Sequence, residues 1–85
     1  MSDPKIIYVD VRQPHEYAAG HVENSINLPL SGLTEITIPE SLPKDAKLIL
    51  YCRTGNRSGL AAKILRRQGY NAVNGINQAT IEAKQ

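Results

Sequence analysis

Short apolar runs along the chain alternate with segments of mixed polarity, and four of these runs predict strands. "KIIYVDV" (Lys5 to Val11) is β-branched with few breakers, so it predicts a buried strand. "SINLPL" (Ser25 to Leu30) predicts a second strand, which Pro29 stops, and "NAVNG" (Asn71 to Gly75) predicts a short last one. "AKLILYC" (Ala46 to Cys52) is the most hydrophobic run and is typical of a central parallel strand covered on both faces.

The segments between these runs predict helices. Pro14, a residue favoured in the first helical turn, begins a short helix that Gly20 closes. From Arg57 to Gln68 the apolar residues change to helical spacing, and they form a stripe of Leu60, Ala61, Ile64 and Leu65. Gly69, which follows, is a natural C-terminal cap. "NQATIEAK" (Asn77 to Lys84) predicts a last helix.

The segment from Ser31 to Pro43 is less regular because it contains Pro39 as well as Pro43, and its "SGLTEI" predicts a helical turn capped by Ser31. Strands that alternate with helices predict an α/β fold. We expect a small parallel β-sheet of about four or five strands flanked by helices on both faces, with Leu48 to Tyr51 central in it.

Length and composition predict one domain, residues 1–85, because a chain of 85 residues builds one modest core. Its 41% hydrophobic content without Trp or Phe indicates an aliphatic core. The single cysteine excludes an internal disulfide, and with His15 and His21 it gives no metal-site spacing, so we expect no metal and no cofactor. No apolar run reaches the roughly 20 residues of a membrane helix and no signal peptide precedes Lys5, which predicts a cytoplasmic protein without a membrane partner.

Charge is unevenly distributed although the net charge is only +2. Seven acids stand against three bases through Asp45, and one acid against seven bases after it. Lys63, Arg66 and Arg67 are interpreted as a solvated helix face, because interleaved aromatic residues for base stacking are missing from this stretch. The expectation is therefore that nucleic acid is not a partner.

Cys52 has the surroundings of a reactive thiol. It ends the predicted central strand, and ligands bind at the carboxyl ends of the strands in open parallel sheets. The loop that follows leads into a helix, so its N–H groups and the helix N-terminus can form an anion cradle around the sulfur. The loop residues are Arg53, Thr54, Gly55, Asn56, Arg57 and Ser58.

Such a cradle predicts that the pKa of Cys52 is lowered, because the helix dipole, the inward N–H groups and Arg53 and Arg57 all favour the thiolate. Gly55 permits tight curvature, while Thr54 and Ser58 offer hydroxyl donors to an anionic intermediate. The alternative is a buried cysteine that acts as a small hydrophobe at a strand end.

Two segments resemble the rhodanese-like sulfurtransferases. "YVDVRQPHEYAAGHVENSINLPL" is similar to their N-terminal signature of D-x-R, E-Y and G-H-x, followed by a small residue and then apolar-Asn-apolar-Pro. "LILYCRTGNRSGLAAKIL" is similar to their active-site strand, loop and helix. The resemblance extends from Tyr8 to Tyr70, with both motifs in the correct order, and it points to a single-domain thiosulfate sulfurtransferase.

The resemblance implies a reaction in which Cys52 takes the outer sulfur of thiosulfate, holds it as a persulfide and passes it to cyanide or to a thiol. Arg53 and Arg57 would hold the oxyanion of the donor, and the N–H groups of the loop would stabilise the persulfide. This arrangement favours thiosulfate over mercaptopyruvate. The implied partners are a small anionic sulfur donor and a thiol or thioredoxin-like acceptor, and the protein itself is expected to be a monomer or a homodimer.

Outside the loop, the expected roles are structural. Asp10, Arg12 and Glu16 are interpreted as a polar network between the first helix and the sheet, although Asp10 could also orient active-site groups. Neither His15 nor His21 is expected to be catalytic. Members of the family commonly have a paired glycine, an apolar residue and a tryptophan where this chain has "VNGINQAT", so this wall of the pocket is expected to be altered.

Two other functions remain open. Phosphatases and arsenate reductases related to this fold also use a cysteine loop closed by an arginine, but they place about five residues between the two, whereas four separate Cys52 from Arg57. The chain could instead be a rhodanese-like module kept for protein binding, but the usual sign of that, a lost cysteine, is not seen here.

Overall fold

The computed structural model of the protein describes residues 5–31 and 35–85, which form six strands and three helices. None of these helices is long and apolar enough to cross a bilayer. In chain order the elements are β1 (Ile6–Asp10), α1 (Pro14–Ala19), β2 (Ile26–Asn27), β3 (Leu30–Ser31), β4 (Glu35–Ile36), β5 (Lys47–Cys52), α2 (Asn56–Arg67), β6 (Asn71–Asn77) and α3 (Gln78–Ala83).

Four of the strands form one parallel sheet in the order β2-β1-β5-β6. The strand β5 lies between β1 and β6, and its register with β1 runs from Ile6 beside Lys47 to Asp10 beside Tyr51. The prediction of a small parallel sheet with the "LILY" segment central is therefore confirmed. All four strands also end on the same side of the molecule, which is where Cys52 lies.

Both faces of this sheet are covered. On one face, Leu48, Leu50 and Cys52 pack with Val9 and with the buried stripe of α2, which consists of Ala61, Ala62 and Leu65. On the other face, Tyr51 packs with Val22 and with Ile81 of α3. Alternate residues of β5 thus point to opposite faces, as the period of a strand requires, and the prediction of helices on both sides is confirmed.

The segment after the second strand differs from the expectation. Leu30 pairs with Ile36 and Ser31 with Glu35 in a short antiparallel ladder, so the helical turn capped by Ser31 is wrong for these residues. Burial of Leu30 in the core outweighs the local capping preference of the serine. The remaining residues of the proposed turn, 32–34, lie outside the described part of the chain.

The last strand is longer than predicted and carries a bulge. Leu50 pairs with Asn74 but Cys52 pairs with Asn77, so β6 contains one more residue than β5 over this stretch. The extra length places Ile76 at φ 74°, a conformation that is unfavourable for a β-branched residue. Bulges of this kind redirect side chains and are common beside functional sites.

Candidate active site

Cys52 is the last residue of the central strand, and its side chain is buried. The chain turns sharply after it, and α2 begins at Asn56, only four residues later. Gly55 makes this turn possible because it adopts φ 92°, in the left-handed region that costs a glycine little. A short loop thereby aims the start of a twelve-residue helix at the sulfur.

Two backbone N–H groups and one hydroxyl surround the Cys52 sulfur. The N–H of Gly55 donates to Sγ at 3.1 Å, and the N–H of Ser58 donates at 3.4 Å. The Ser58 hydroxyl lies 3.5 Å from the same sulfur. The loop therefore forms the expected cradle, and two of the predicted site residues contact the cysteine directly.

The environment lowers the pKa of the Cys52 thiol below its usual value. Burial acts in the opposite direction, because it disfavours the charged thiolate. Hydrogen bonds from the Ser58 hydroxyl and from the N–H groups of Ser58, Thr54 and Gly55 outweigh that effect. The direction agrees with the sequence prediction, but its cause lies in these hydrogen bonds more than in the two arginines of the loop.

The other predicted site residues occupy different positions around the loop. Arg53, Thr54 and Asn56 are exposed at its outer side, where their side chains are accessible to a ligand. The guanidinium of Arg57 is instead held by the carboxylate of Glu16, with Nη1 2.7 Å from Oε1 and Nη2 3.0 Å from Oε2. The two arginines are thus not equivalent, since one of them already binds an anion within the protein.

Glu16 is a site residue that the sequence analysis placed elsewhere. It lies in the first turn of α1, where its Oε1 also accepts the N–H of Gln13 at 3.0 Å. The hydrogen bonds from Arg57 lower the pKa of Glu16 from 4.5 to about 2. The spacing of Gln13 and Glu16 is a sequence signal for the start of the helix, but it carries no information about the contact with α2.

Asn74 is a second residue that sequence reasoning missed. Its Oδ1 accepts the Ser58 hydroxyl at 2.6 Å and the N–H of Ile76 at 2.9 Å, while its Nδ2 donates to the carbonyl of Gly55 at 3.0 Å. The side chain therefore joins the cysteine loop to the bulge of β6. The only signal in the sequence was that "VNGINQAT" departs from the usual family pattern at this point.

Asp10 and Arg12 of the first motif pair with each other. Asp10 is fully buried and accepts from Arg12, whose Nη2 lies 2.6 Å from Oδ2. Arg12 also donates to the carbonyl of Gly20 at 2.7 Å, which fastens the end of α1. Glu16 takes no part in this pair, so the predicted three-residue network is divided into two separate ion pairs.

The two histidines have different surroundings. His21 stacks on Tyr17 with 3.7 Å between the ring centroids, and His15 is exposed on α1. Across residues 5–31 and 35–85, no three His, Cys, Asp or Glu side chains are grouped so that they could hold a metal ion.

Comparisons with known proteins place this cysteine loop in a family. The sequence profile of the rhodanese-like domain matches residues 1–77. A rhodanese-related protein from Thermoplasma volcanium has a similar structure, with a TM-score of 0.70 and 36% sequence identity over 92% of this chain and 78% of that one.

Curated relatives are longer proteins. The tRNA uridine(34) hydroxylase of Enterobacter sp. (strain 638) is 32% identical over 87 residues, and that of Salmonella arizonae is 33% identical over 91 residues. Both alignments include 96% of this chain but only 25% of the relative. The chain thus spans about a quarter of the length of the curated relatives it matches.

Proposed function

The chain belongs to the rhodanese-like domain family, and from that premise we propose that it is a sulfurtransferase that carries sulfur as a persulfide on Cys52. One observation carries the proposal. The sulfur of Cys52 accepts hydrogen bonds from the N–H groups of Gly55 and Ser58, at 3.1 and 3.4 Å, and it lies 3.5 Å from the Ser58 hydroxyl. These donors stabilise an anionic sulfur without a separate general base.

The reaction has two halves. The Cys52 thiolate attacks the outer sulfur of a donor such as thiosulfate, a new S–S bond forms, and the old one breaks as sulfite leaves with its electron pair. Cyanide or the thiolate of an acceptor then attacks the outer sulfur of the persulfide, and the Cys52 thiolate leaves. Each half is a nucleophilic displacement at sulfur, so no external oxidant or reductant is consumed.

Arg53 and Arg57 have different roles in our proposal for the donor. Arg53 is exposed at the outer side of the loop and meets the oxyanion end of thiosulfate first. Arg57 contributes the part of its guanidinium that Glu16 leaves accessible, since a third of its side chain is exposed. We retain thiosulfate as the preferred donor over mercaptopyruvate, with a small thiol or a thioredoxin-like protein as the acceptor.

Mass spectrometry of the intact protein tests this function. After incubation with thiosulfate and removal of the excess, the protein should gain the mass of one sulfur atom and lose it again when cyanide is added. The variant Cys52→Ala keeps the loop and the helix but lacks the nucleophile, so it should gain no sulfur. A parent protein that stays unmodified by thiosulfate and by mercaptopyruvate alike, while hydrolysing a phosphate monoester, would overturn the proposal in favour of phosphatase chemistry.

A second candidate is that the chain works as part of a tRNA-modifying protein. It is favoured by the alignments with tRNA uridine(34) hydroxylases, which include nearly the whole chain. The exposed basic residues Lys63 and Arg67 of α2 would then contact phosphates. Titration of tRNA with the protein at moderate salt tests this candidate. The sequence pattern predicts no binding, whereas the second candidate predicts binding that Lys63→Glu with Arg67→Glu weakens.

A further inference from the structure

The Ser58 hydroxyl has a single proton and two acceptors. Its oxygen lies 2.6 Å from Oδ1 of Asn74 and 3.5 Å from Sγ of Cys52. The short distance to Asn74 means that the proton points there, and the serine then presents a lone pair to the thiol. Ser58 is fully buried, so water does not supply a second donor.

Formation of the thiolate changes this balance. An anionic sulfur attracts the hydroxyl proton more strongly than a neutral amide oxygen does. If the proton turns to the sulfur, Asn74 keeps one donor, the N–H of Ile76 at 2.9 Å. The hydroxyl can thus alternate between two arrangements, and Asn74 stabilises the one that leaves the thiolate with fewer hydrogen bonds.

We propose that Asn74 is a positioning residue that competes with Cys52 for the Ser58 proton and thereby limits the fraction of thiolate before a donor binds. The competition for the proton is independent of the proposed sulfurtransferase function, and only its benefit to the reaction rests on that function. Once the persulfide forms, Sγ is no longer anionic, and the proton returns to Asn74. Between turnovers the cysteine is therefore less exposed to unwanted alkylation or oxidation.

Charged groups near the loop also affect the pKa of Cys52, so a test of Asn74 has to leave them unchanged. Arg53 lies in the loop, and Arg57 lies in α2 and pairs with Glu16 of α1. The pair of Asp10 and Arg12 lies at the end of β1. The strand β6, from Asn71 to Asn77, contains no charged side chain. A neutral substitution at Asn74 therefore leaves the charges around Cys52 unchanged.

The test measures the pKa of Cys52 from the pH dependence of its alkylation rate, with no sulfur donor present. Asn74→Leu removes both polar atoms at an exposed position of similar size, and Asn74→Ala repeats the test without new bulk. Both should lower the pKa by about half a unit to one unit, because the thiolate gains the serine hydrogen bond without competition. Asn74→Asp keeps the acceptor and adds a negative charge, so it should raise the pKa.

Ser58→Ala provides the matched background. In a protein without the hydroxyl, Asn74→Leu should no longer shift the pKa of Cys52, whereas Asn74→Asp should still raise it through its charge. An equal shift with and without Ser58, or an unchanged or raised pKa in both neutral variants, would overturn the proposal. Because alkylation needs no donor, the result stands apart from whether thiosulfate loads the cysteine.

Discussion

The ion pair between Glu16 and Arg57 makes opposite predictions for stability and for donor binding. In the variant Glu16→Gln the amide has nearly the same shape as the carboxylate but no charge. The pair that joins α1 to α2 is then reduced to hydrogen bonds from the charged guanidinium to a neutral amide oxygen. At the same time the guanidinium of Arg57 becomes available to an anion from solution. We therefore expect a protein that is less stable and binds thiosulfate more tightly.

The magnitude of the stability loss follows from the pKa of Glu16. A decrease in this pKa from 4.5 to about 2 would correspond to roughly 3 kcal/mol of folding free energy if all of it reflected stabilisation of the folded state. The side chains of Glu16 and Arg57 are 18% and 33% exposed, so solvent screens part of this interaction. We expect a loss of about 1 to 2 kcal/mol in the free energy of unfolding near neutral pH.

The pH dependence of this loss has a definite sign. The folded state holds the pKa of Glu16 below its unfolded value, so the stabilisation is complete above pH 4.5 and is lost as the pH falls towards 2. Urea unfolding of parent and Glu16→Gln should therefore give curves that differ near neutral pH and converge across this acidic range. Glu40→Gln, at an exposed turn, provides the same change in charge at a residue that forms no ion pair within residues 5–31 and 35–85, and it should leave stability nearly unchanged.

Steady-state kinetics with thiosulfate and cyanide test the effect on donor binding. If about 1 kcal/mol of guanidinium interaction is released to the donor, KM for thiosulfate should fall by about fivefold in Glu16→Gln and stay constant in Glu40→Gln. A rise in KM with no loss of stability would refute this reasoning, because it would mean that Glu16 holds Arg57 in place for the donor and does not compete with it.

Two further predictions concern the backbone of β6 and the buried tyrosine. Ile76→Gly should stabilise the protein by about 0.5 to 1 kcal/mol in urea unfolding, because a β-branched residue at φ 74° is strained. Asn24→Gly, at φ 67°, should change the free energy of unfolding little, since asparagine tolerates this region. Equal effects of the two substitutions would contradict the strain at Ile76. Tyr51→Phe should lower the free energy of unfolding by about 1 to 3 kcal/mol, because the buried N–H of Val22 loses its acceptor at 2.9 Å. A variant as stable as the parent would show that water replaces the hydroxyl.

The parts of the structure that the sequence predicted are those controlled by local pattern. The apolar run of β5, the helical stripe of α2 and the glycine between them are contiguous, so they placed Cys52 and its loop correctly, although Leu60 of the predicted stripe is exposed. The lengths of the strands were less predictable. The strand β2 contains only Ile26–Asn27, and β6 extends beyond Gly75 because its bulge depends on the register with β5.

The missed site residues come from distant parts of the chain. Glu16 reaches Arg57 across 41 positions, and Asn74 reaches Ser58 across 16. Neither contact leaves a periodic signal, because each depends on how two elements are placed by the sheet. The three-residue network of Asp10, Arg12 and Glu16 was only half right for the same reason, since proximity in the sequence suggested a partner that the fold did not provide.

The strand order β2-β1-β5-β6 also bears on the order in which the parts of the site can assemble during folding. The early strand β1 has its main partner, β5, about 40 residues later, so the sheet cannot close until much of the chain is available, and such nonlocal pairing is slow. The N–H donors of Gly55 and Ser58 follow Cys52 by only three and six residues, so they can reach the sulfur as soon as α2 begins, whereas Glu16 reaches Arg57 across 41 positions and needs the paired sheet. The hydrogen bonds to the thiol are therefore local, and the ion pair beside them depends on nonlocal assembly.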